Sequence, residues 1–547
     1  MQSEIANKGM VTSFHSLASE AGVEILRRGG NAVDAAVATC LALNVVLPHM
    51  CGIGGEGRAL IYMRRTGEKL VVNWSARCPM AASPGMFDFE PERGRLVLGP
   101  SVPLTGYMAV KDDANEHGYK AAMVPGAIAG YAMALARCGT LSLAEVMQPA
   151  IRLAEEGFPM TPQLARYIGE NADLLSRYPA SAGLFLKGGI RREWDVGGAR
   201  LTLVQSDLAK TLKKIAAGGS DVFYRGEIAR QIVEAMKAYG GLITLEDLAR
   251  YQAEILTPCR GSFKGYDVYG VPGGGTTVVQ IMNILDGYDL TGYGINAPQI
   301  LHLFAEAIRL TFGDRVNYIS GDLEGVPWDW LCSAERARSL RAQIDPARAT
   351  AVDANRALHE GRDTTHLCVV DGERNVASAT ITLGGAFGAR VVIPGTGVTM
   401  NNLIHSLNPE PGDINSVGPW KRRRIPHASS LVMRGDVPVL AIGGMGGEKQ
   451  IVATARVILN TLHHGLPIQA AIDAPRLFRG LRKEIYVSTD MPEATVSGLA
   501  AMGHPVVPQD PEKFLFGRVT GIMIDRGGQP ALAGGIEKYS DGKAAGF

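Results

Sequence analysis

The chain lacks most of the features that would assign it to a class at once. Its 55 basic and 54 acidic side chains leave a net charge of +1 over 547 residues, so no general field attracts a nucleic acid or an anionic membrane. The longest mostly apolar run, residues 35–47, is shorter than the about 20 residues that span a bilayer. Residues 1–11 have no apolar core of the kind that a signal peptide requires. We therefore expect no nucleic-acid partner, no membrane partner and a cytoplasmic location.

Cysteine and the common catalytic motifs are also scarce. The seven cysteines are scattered, and no two of them have Cys-x-x-Cys spacing, so the sequence indicates neither a disulfide framework nor a zinc knuckle. It contains no His-Glu-x-x-His pair and no Gly-x-Ser-x-Gly elbow. We expect no metal ion and no other cofactor, in a reducing compartment.

Glycine, in contrast, is abundant, with 67 residues against a usual share of about 7%. One glycine-rich run, residues 52–57, matches the Gly-x-Gly-x-x-Gly spacing of dinucleotide sites. Those sites require a strand before the run and a helix after it. Here a helical pattern precedes the run and a strand pattern follows it. The run is therefore interpreted as a structural turn.

Hydrophobic periodicity divides the chain into helical and extended regions. In the first part we predict helices over 16–28, 32–46, 127–136, 143–156, 227–238, 298–312 and 333–344, and a hairpin of strands over 58–63 and 69–73. A polar loop, 345–363, follows. Beyond it we predict strands over 364–370, 376–383 and 437–442, and helices over 450–463 and 468–474. This order favours an α/β (α+β) fold in which layered sheets are covered by helices.

The start of strand 364–370 carries the residues that suggest chemistry. Thr364 directly follows Asp363, and Thr382 lies at the far end of the returning strand, where the hairpin can place it across from Thr364. A threonine hydroxyl needs an adjacent base, and an N-terminal threonine has one in its own α-amine, whose pKa is near ~8. The chain must then be cut before Thr364, which the same hydroxyl achieves by attacking the Asp363 carbonyl. Downstream, the backbone N–H groups of the glycine turn 443–447 can converge on an oxyanion.

Several segments in order resemble the γ-glutamyltranspeptidase family of N-terminal-nucleophile hydrolases. They are GGNAVDAA at 29–36, GIGG at 52–55, VPG at 124–126, DTTH at 363–366, NN at 401–402, GPWKR at 418–422 and DGKAAGF at 541–547. The resemblance covers essentially the whole chain. It implies a four-layer αββα sandwich and a precursor that cleaves itself into a large (α) subunit, 1–363, and a small (β) subunit, 364–547, which together form one such unit.

By this resemblance the catalytic positions are all present. Thr364 corresponds to the nucleophile, freed by scission after Asp363, and Thr382 to the threonine that hydrogen-bonds to it and orients it. Gly446 and Gly447 correspond to the pair whose N–H groups form the oxyanion hole. Such donors are usually the largest single contribution to acyl transfer. The resemblance therefore implies intact catalytic machinery.

The positions that recognise a γ-glutamyl group in the family are replaced. Ser75 stands where the family has an arginine for the α-carboxylate, with Arg77 displaced along the chain, and Gly384 stands in place of an asparagine. The other replaced positions are Glu56, Leu403, Ser406, Ile425 and Pro426. A site without hydrogen-bonding partners discriminates strongly against a substrate that needs them. We expect the acyl group of the substrate not to be γ-glutamyl.

The sequence thus predicts an autoprocessing N-terminal-threonine amidohydrolase that cleaves a small anionic acyl amide, such as oxamate, through an acyl-enzyme. Ser75, Gly384 and Asn402 are expected to line the acyl site, and Arg424, ahead of Arg77, to hold the anion. The basic run 421–424 is otherwise a solvated face. Expected partners are the amide substrate and the two fragments, as a heterodimer or a pair of heterodimers.

Three alternatives stay open. The first is a γ-glutamyltransferase or glutathione hydrolase with a rebuilt pocket. The second is a glutaryl-type acylase, another activity found in the same family. The third is a catalytically silent scaffold, against which the retention of Thr364, Thr382 and the glycine pair argues.

Overall fold

Two antiparallel sheets, each of seven strands in the described part of the chain, lie at the centre of the computed structural model, which describes residues 3–96, 107–186, 201–350, 363–481, 483–512, 516–525 and 531–547. Sheet I has the order β21 (Lys543–Gly546), β2 (Met10–Ser13), β12 (Asp363–Val370), β13 (Val376–Gly384), β3 (Glu56–Met63), β4 (Glu68–Asn73) and β9 (Glu254–Leu256). Sheet II has the order β1 (Glu4–Ala6), β20 (Leu532–Ile536), β19 (Arg518–Ile524), β15 (Val437–Met445), β14 (Ser430–Arg434), β11 (Tyr266–Gly270) and β10 (Cys259–Phe263).

Smaller strands complete the extended structure at the periphery. A short mixed sheet consists of β16 (Leu477–Arg479), β17 (Ile485–Ser488) and β18 (Val506–Gln509). Two strand pairs are formed by β5 (Arg95–Leu96) with β6 (Tyr107–Met108), and by β7 (Phe158–Pro159) with β8 (Thr202–Leu203). None of these strands joins the two large sheets.

Helices cover the outer face of each large sheet. Sheet I is covered by α1 (Ser16–Arg27), α2 (Ala32–Val46), α3 (Ala127–Cys138), α4 (Leu143–Val146), α5 (Gln148–Glu156), α6 (Pro162–Glu170), α7 (Ala172–Ser176), α8 (Pro179–Phe185), α9 (Ser206–Gly218), α10 (Asp221–Tyr224), α11 (Glu227–Tyr239) and α12 (Leu245–Arg250). Sheet II is covered by α13 (Gly274–Asp286), α14 (Pro298–Tyr318), α15 (Trp328–Leu331), α16 (Ala334–Arg341), α17 (Lys449–Leu462), α18 (Ile468–Asp473) and α19 (Glu493–Ala501). No described helix is both long and apolar enough to cross a membrane.

Alternation along the strands builds the core between the sheets. In β12, Leu367 and Val369 pack against the helices, whereas Cys368 and Val370 point toward sheet II. Ala441 and Ile522 of sheet II meet them in the same apolar cluster. Successive side chains of a strand lie on opposite faces, so every central strand contributes to two cores. The predicted four-layer αββα sandwich is confirmed.

Residues on both sides of the Asp363–Thr364 bond contribute to both sheets. In sheet I, β12 pairs with β2 on one edge and with β13 on the other, and β13 in turn pairs with β3. In sheet II, β11, which precedes that bond, pairs with β14, which follows it. The two parts of the chain therefore share both large sheets.

Most predicted elements are present, and two of the predicted helices differ clearly from the prediction. The helix predicted over 143–156 is two helices, α4 and α5, which meet at Met147, and Pro149 in the first turn of α5 lacks the N–H needed to continue α4. Helix α14 continues past the predicted end at residue 312 to Tyr318. Of the predicted polar loop, residues 351–362 lie outside the described residues.

Candidate active site

The candidate site lies at one end of the sandwich, where β12 and β3 begin and β13 and β15 end. Asp363 pairs with Gly384 and Thr382 pairs with Glu56. The register of β12 against β13 shifts between Asp363 and Thr365, so that two residues of β13, Thr382 and Leu383, oppose Thr364 alone. The bulge therefore lies on β13, directly across from Thr364. Bulges are frequent next to active sites because they re-aim a side chain. Thr364 is only 4% exposed.

The hairpin of residues 363–384, here named the Thr364 hairpin, directs a hydroxyl at the bond before Thr364. The Thr382 hydroxyl donates a hydrogen bond of 2.6 Å to the carbonyl oxygen of Asp363. The N–H of Gly384 donates to the Thr382 hydroxyl oxygen at 2.9 Å, which fixes the direction of the donated proton. The hairpin therefore places Thr382 across from the Asp363–Thr364 bond, in contact with its carbonyl.

Tyr167 of α6 holds the side chain of Asp363. Its hydroxyl donates to Asp363 Oδ1 at 3.2 Å, and its ring lies 4.6 Å from that of His49. Burial, followed by the Asp363 charge, raises the pKa of Tyr167, so its proton stays in place. Burial lowers the pKa of His49 to about 3, so His49 is neutral at pH 7. Neither Tyr167 nor His49 belongs to a sequence motif, and 196 positions separate Tyr167 from Asp363. Local sequence pattern therefore cannot predict this contact.

The glycine turn after β15 is held by a buried ion pair. Gly446 and Gly447 have φ of +110° and +59°, conformations that L side chains rarely adopt. Glu448 follows them and forms a two-pronged pair with Arg315 of α14, Nε to Oε2 at 2.8 Å and Nη2 to Oε1 at 3.0 Å. Helix α17 begins at Lys449. Backbone N–H groups at a helix start favour negative charge, which suits the predicted oxyanion role.

A polar layer between the sheets lies directly below the hairpin. His366 Nδ1 is 2.8 Å from the Thr380 hydroxyl, which is 3.0 Å from the Ser429 hydroxyl. Burial lowers the pKa of His366 to about 3, so the ring is neutral at pH 7. A Cβ on Gly443 of β15 would lie 2.3 Å from this ring. Glycine at 443 thus permits the close approach of the two sheets beside the site.

Beside the hairpin, starting at Glu56, which pairs with Thr382 in sheet I, lies a group of charged and polar residues. We name it the charged flank: Glu56, Arg58, Ser75, Arg77, Arg422 and Arg423. Glu56 is buried and accepts from Arg423 Nε at 2.8 Å and Nη2 at 2.6 Å. Its other oxygen accepts from the N–H of Ala76 at 2.8 Å. Both carboxylate oxygens of Glu56 therefore have hydrogen-bond partners inside the protein, and Glu56 lies next to Thr382 in sheet I.

Arg77 and Arg422 are also paired within the chain. Both contact Glu254, Arg77 at 3.1 Å and Arg422 at 2.5 Å, and Arg77 lies 3.4 Å from Asp322. Arg77 additionally donates to the carbonyl of Trp420 at 3.1 Å. The Arg77 side chain is consequently held by two carboxylates.

Arg58 differs from the other cations of the flank. Its guanidinium donates to Asn73 Oδ1 at 2.9 Å, to Ser75 Oγ at 3.2 Å and to the carbonyl of Pro272, and it has no carboxylate partner among the described residues. Burial, together with the charge of Arg422, lowers the pKa of Arg58 to about 9. The charges of Glu56 and Glu254 act in the opposite direction on this pKa, although neither carboxylate is in contact with Arg58. The side chain that Arg58 does contact at the predicted acyl site is Ser75.

Arg424, the predicted anion partner, lies at a helix end instead. It donates to the carbonyls of Ile319 at 2.7 Å and Val316 at 3.3 Å, where α14 finishes. A guanidinium at a helix C-terminus satisfies carbonyls that have no partner in the helix. The guanidinium is thus engaged with backbone oxygens, and a role in holding an anion stays a prediction.

Gly384 and Asn402 are interlocked. The Asn402 amide accepts from the N–H of Gly385 at 2.8 Å and donates to the carbonyl of Glu116 at 2.8 Å. Gly384 has φ of +104°, and a Cβ there would lie 2.4 Å from Asn402 Oδ1. A larger residue at 384 therefore requires Asn402 to move. The neighbouring Leu403, Ser406 and Ile425 are all buried.

Of the described residues, one group has the donor atoms of a metal site: His302, Glu306 and His504. His302 Nδ1 lies 2.7 Å from His504 Nε2, so the two rings are directly hydrogen-bonded. Glu306 accepts from Arg479 and Arg309. Arg479 and Arg309 already place two positive charges on Glu306, the only carboxylate of the group, and these charges oppose the binding of a metal cation. We therefore interpret the group as a hydrogen-bonded cluster.

Comparison with known proteins identifies the family. The profile of the gamma-glutamyltranspeptidase family matches residues 18–547. The chain belongs to this family. The predicted resemblance is thereby confirmed, and members of the gamma-glutamyltranspeptidase family hydrolyse amide C–N bonds with an N-terminal nucleophile. The chain is accordingly an amide hydrolase of the N-terminal-nucleophile type.

Relatives within the gamma-glutamyltranspeptidase family carry two kinds of name. The chain is 39% identical over 508 residues to an acylase ACY 1 proenzyme of Pseudomonas sp. strain SE83, covering 92% of this chain and 88% of the relative. It is 34% identical over 545 residues to a glutathione hydrolase proenzyme of Escherichia coli K12, covering 96% and 89%. The crystal structure of a cephalosporin acylase from Bacillus halodurans matches with a TM-score of 0.86 and 31% identity, covering all of this chain and 97% of that one.

Proposed function

We propose that the chain is an autoprocessing N-terminal-threonine amidohydrolase that hydrolyses small anionic acyl amides whose acyl group is not γ-glutamyl. The observation that carries the processing step is the 2.6 Å hydrogen bond from the Thr382 hydroxyl to the Asp363 carbonyl. The observations that support the substrate class are the internal pairing of the charged flank and the contacts of Arg58, which among the described residues are all to neutral oxygens.

In the processing step the Thr364 hydroxyl oxygen attacks the carbonyl carbon of Asp363. Thr382 already donates to the carbonyl oxygen, on which negative charge develops, so its hydrogen bond strengthens toward the transition state. Collapse of the intermediate breaks the C–N bond, and the proton lost by the Thr364 hydroxyl is taken up by the Thr364 nitrogen. The products are an ester between Asp363 and the Thr364 oxygen and a free amine on Thr364. Water then hydrolyses the ester, which releases residues 1–363 with a carboxylate and frees the Thr364 hydroxyl.

In turnover the freed Thr364 acts with its own amine as the base. The amine, with a pKa near ~8, accepts the hydroxyl proton while the oxygen attacks the amide carbonyl of the substrate. The N–H groups of Gly446 and Gly447 are proposed to bind the oxyanion, and the amine then gives its proton to the leaving nitrogen. Water hydrolyses the acyl-enzyme in a second addition at the same site.

Substrate choice is proposed to follow from the charged flank. A γ-glutamyl group brings an ammonium and a carboxylate, and each needs a buried partner. The one acidic residue of the flank, Glu56, is used by Arg423, and the aligned position of the family arginine is Ser75. Arg58, in contact with Ser75, has no carboxylate partner in the described part of the chain and would gain one from an anionic acyl group.

The relatives support an acylase-type activity but leave the acyl group open. One of them is named an acylase and another a cephalosporin acylase, while a third is named a glutathione hydrolase. Oxamate and a glutaryl amide are the two anionic candidates that we propose to compare. The fragments are proposed to stay together as a heterodimer, with a pair of heterodimers as the next assembly, in the cytoplasm.

A substrate panel tests this proposal. The processed enzyme is assayed with oxamate, glutaryl anilide and γ-glutamyl anilide, and the best anionic amide is expected to exceed the γ-glutamyl anilide in kcat/KM by at least ~100-fold, or about 2.7 kcal/mol. Equal or faster turnover of the γ-glutamyl anilide would instead support a glutathione hydrolase with a rebuilt pocket.

A matched pair of variants tests the role of Arg58. Arg58→Lys is expected to raise KM for the anionic amide about tenfold while processing continues, because a lysine keeps the charge but cannot reproduce the planar contacts. Arg456→Lys is the control, since Arg456 is also buried, with its pKa lowered to about 9, and contacts the carbonyl of Ile295. An unchanged KM in Arg58→Lys, or the same rise in both variants, would remove Arg58 from the substrate site.

A further inference from the structure

One guanidinium connects the glycine turn after β15 with the segment that carries Ile425. Arg315 of α14 donates to both carboxylate oxygens of Glu448, at 2.8 and 3.0 Å, and its Nη2 also donates to the carbonyl oxygen of Ile425 at 2.9 Å. Glu448 directly follows Gly447, and Ile425 is one of the replaced positions of the expected acyl site. Arg315 therefore contacts both segments at once.

The glycine turn uses its carbonyl groups and keeps its N–H groups available. The carbonyl oxygens of Gly446 and Gly447 accept from the N–H groups of Lys449 and Gln450, at 3.2 and 3.3 Å. In the part of the chain that the structure describes, the N–H groups of the two glycines donate to no acceptor. Available N–H groups at a fixed position are what a developing oxyanion requires. Their direction is set by the two ends of the turn.

The second end of the glycine turn depends on the ion pair. On the first side β15 fixes the turn, since Met445 pairs with Arg518 of β19. On the second side Glu448 is held by Arg315, its only ion-pair partner among the described residues. Two parallel hydrogen bonds fix the direction of a carboxylate as well as its distance, and both groups are buried. Loss of Arg315 would therefore release the Glu448 end of the turn.

The ion pair also controls the charge beside the turn. The Glu448 carboxylate belongs to the residue after Gly447, so its negative charge lies close to the place where the oxyanion is expected. Like charges repel one another, most strongly where water is excluded. Arg315 compensates this carboxylate, whereas an unpaired Glu448 would oppose the formation of an oxyanion.

We propose that Arg315 is a positioning residue of the reaction, which acts through Glu448 on the N–H groups of Gly446 and Gly447. It holds these groups where the negative charge of the tetrahedral intermediate develops, and through the Ile425 carbonyl it keeps the acyl wall in register with them. The inference rests on the proposed function, because it takes the two N–H groups as the oxyanion donors. A displaced donor weakens the transition state more than the bound substrate, so Arg315 affects kcat and not KM.

Kinetics of Arg315→Met test this role on the full-length protein after processing. The substrate is the amide of the panel that the wild type hydrolyses fastest. Scission is expected to continue, because Thr382 contacts the Asp363 carbonyl on which it depends. We expect kcat to fall about 100-fold, the loss typical of one oxyanion donor, with KM within about twofold of wild type. An unchanged kcat, or a rise in KM alone, would overturn the inference.

Arg336→Met is the matched control. Arg336 of α16 pairs with Asp314, the residue that precedes Arg315 on α14, and Asp314 is also buried. The control therefore leaves a buried carboxylate on the same helix without its cation, and a comparable loss of stability is expected. Because Asp314 does not contact the glycine turn in the described structure, kcat should stay at the wild-type value. The same fall in kcat in both variants would assign the effect to stability and overturn the inference.

A double variant separates position from stability. Arg315→Met/Glu448→Leu leaves no unpaired charge, so its free energy of unfolding should recover most of what Arg315→Met loses. The anchor of the turn is still absent, and kcat should remain at least about tenfold below that of the wild type. Recovery of the wild-type kcat together with stability would show that the pair has only a structural role.

Hydrogen exchange gives a measurement that does not depend on turnover. The N–H groups of Lys449 and Gln450 are bonded to the carbonyls of the glycine turn, so their exchange reports on its local opening. Mass spectrometry of a peptide over residues 446–452 should show faster exchange in Arg315→Met and in the double variant, and unchanged exchange in Arg336→Met. Unchanged exchange in Arg315→Met would overturn the inference. Failure of the wild type to hydrolyse any amide of the panel would contradict the proposed function and leave this exchange result as it stands.

Discussion

The Thr364 hairpin and the charged flank are neighbours at one end of sheet I, and their positions are fixed by different means. In the hairpin, strand register and the bulge opposite Thr364 bring the Thr382 hydroxyl to the Asp363 carbonyl, and positive φ angles shape the glycine turn after β15. In the flank, position depends on side chains that pair with one another, above all Glu56 with Arg423. Geometry that resides in the backbone persists through side-chain replacement, whereas geometry that resides in side chains changes with each substitution.

Relatives of the chain carry different names on one scaffold. An acylase and a glutathione hydrolase are both more than 30% identical to the chain over most of its length. Of the replaced positions, Glu56 and Ser75 lie in the flank, whereas Gly384 is the last residue of the hairpin and contributes to it through its backbone N–H, which donates to Thr382. The fold alone therefore does not determine which substrate a member of the family takes, because the residues of the site determine it.

The largest effect is expected from removal of the Thr364 hydroxyl. Thr364→Ala should remain one uncleaved chain without activity, because no other group is placed to attack the Asp363 carbonyl in the proposed mechanism. Thr364→Ser, which keeps a hydroxyl and an amine, should process and turn over more slowly. A denaturing gel and intact mass give the result, and two fragments from Thr364→Ala would remove Thr364 from the role of nucleophile.

A large loss of stability is expected when the ion pair between Glu56 and Arg423 in the charged flank is broken. Glu56→Gln leaves the Arg423 charge buried and unpaired, and breaking such a pair costs about 3–5 kcal/mol in the free energy of unfolding. The double variant Glu56→Gln/Arg423→Met should recover most of that loss. Denaturant unfolding of the two single variants and the double variant measures the coupling, and simple additivity would contradict the pairing.

Loss of the Thr382 hydroxyl is expected to act on processing more than on stability. Thr382→Val keeps the shape of the side chain but removes the donor, so the half-time of scission should lengthen by about 10²–10³-fold, while stability falls by only about 1 kcal/mol. Thr382→Ser, which keeps the donor, is the control. Scission of Thr382→Val at the rate of the parent protein would show that the contact with the Asp363 carbonyl has no role.

The polar layer below the hairpin predicts a dependence of stability on pH. His366 has a folded pKa of about 3 against 6.5 when unfolded, so the unfolded state binds the proton first. The stabilisation is complete above pH 6.5 and is lost progressively as the pH falls toward the folded pKa, by about 2 kcal/mol at pH 5.

His366→Asn tests that dependence. Asparagine does not titrate, so the variant should lose less stability between pH 7 and pH 5 than the parent protein, by about 2 kcal/mol. Denaturant unfolding at the two pH values gives the comparison. Equal losses in the two proteins would show that His366 does not titrate as its burial requires.

The smallest effect is expected at Tyr167. Tyr167→Phe removes the hydrogen bond to Asp363 Oδ1, and scission should slow about tenfold, equivalent to about 1.4 kcal/mol. Activity per cleaved molecule should stay the same, because Asp363 is no longer bonded to the nucleophile after scission. Tyr288→Phe, which removes a buried hydroxyl with no partner in the described residues, is the control. A fall in activity per cleaved molecule would assign Tyr167 to turnover instead.

Local pattern was enough to predict the Thr364 hairpin. The alternating β-branched residues and the short turn between them indicate two paired strands, and the pairing of the ends follows from the hairpin itself. Helix α2 was predicted over its observed range for a similar reason, because Asn31 caps its start by accepting from the N–H groups of Val33 and Asp34. Contacts between neighbours in sequence are therefore the predictable part.

Contacts between distant segments could not be predicted in this way. The run 422–424 looks like one basic surface in the sequence, but its three arginines go to Glu254, to Glu56 and to the end of α14. Successive residues of an extended segment point in different directions, and only the tertiary fold decides what each one meets. The roles of Tyr167 and Arg315 could not be predicted for the same reason, since their hydrogen-bond partners lie 196 and 133 positions away along the chain.

The most direct test of the account is the intact mass of the purified wild-type chain after incubation, followed by N-terminal sequencing of the products. The account predicts two polypeptides, residues 1–363 and 364–547, with the small one beginning at a free Thr364. A single uncleaved species of 547 residues, or a break at any other bond, would contradict the claim that the Thr364 hairpin is built to cleave itself.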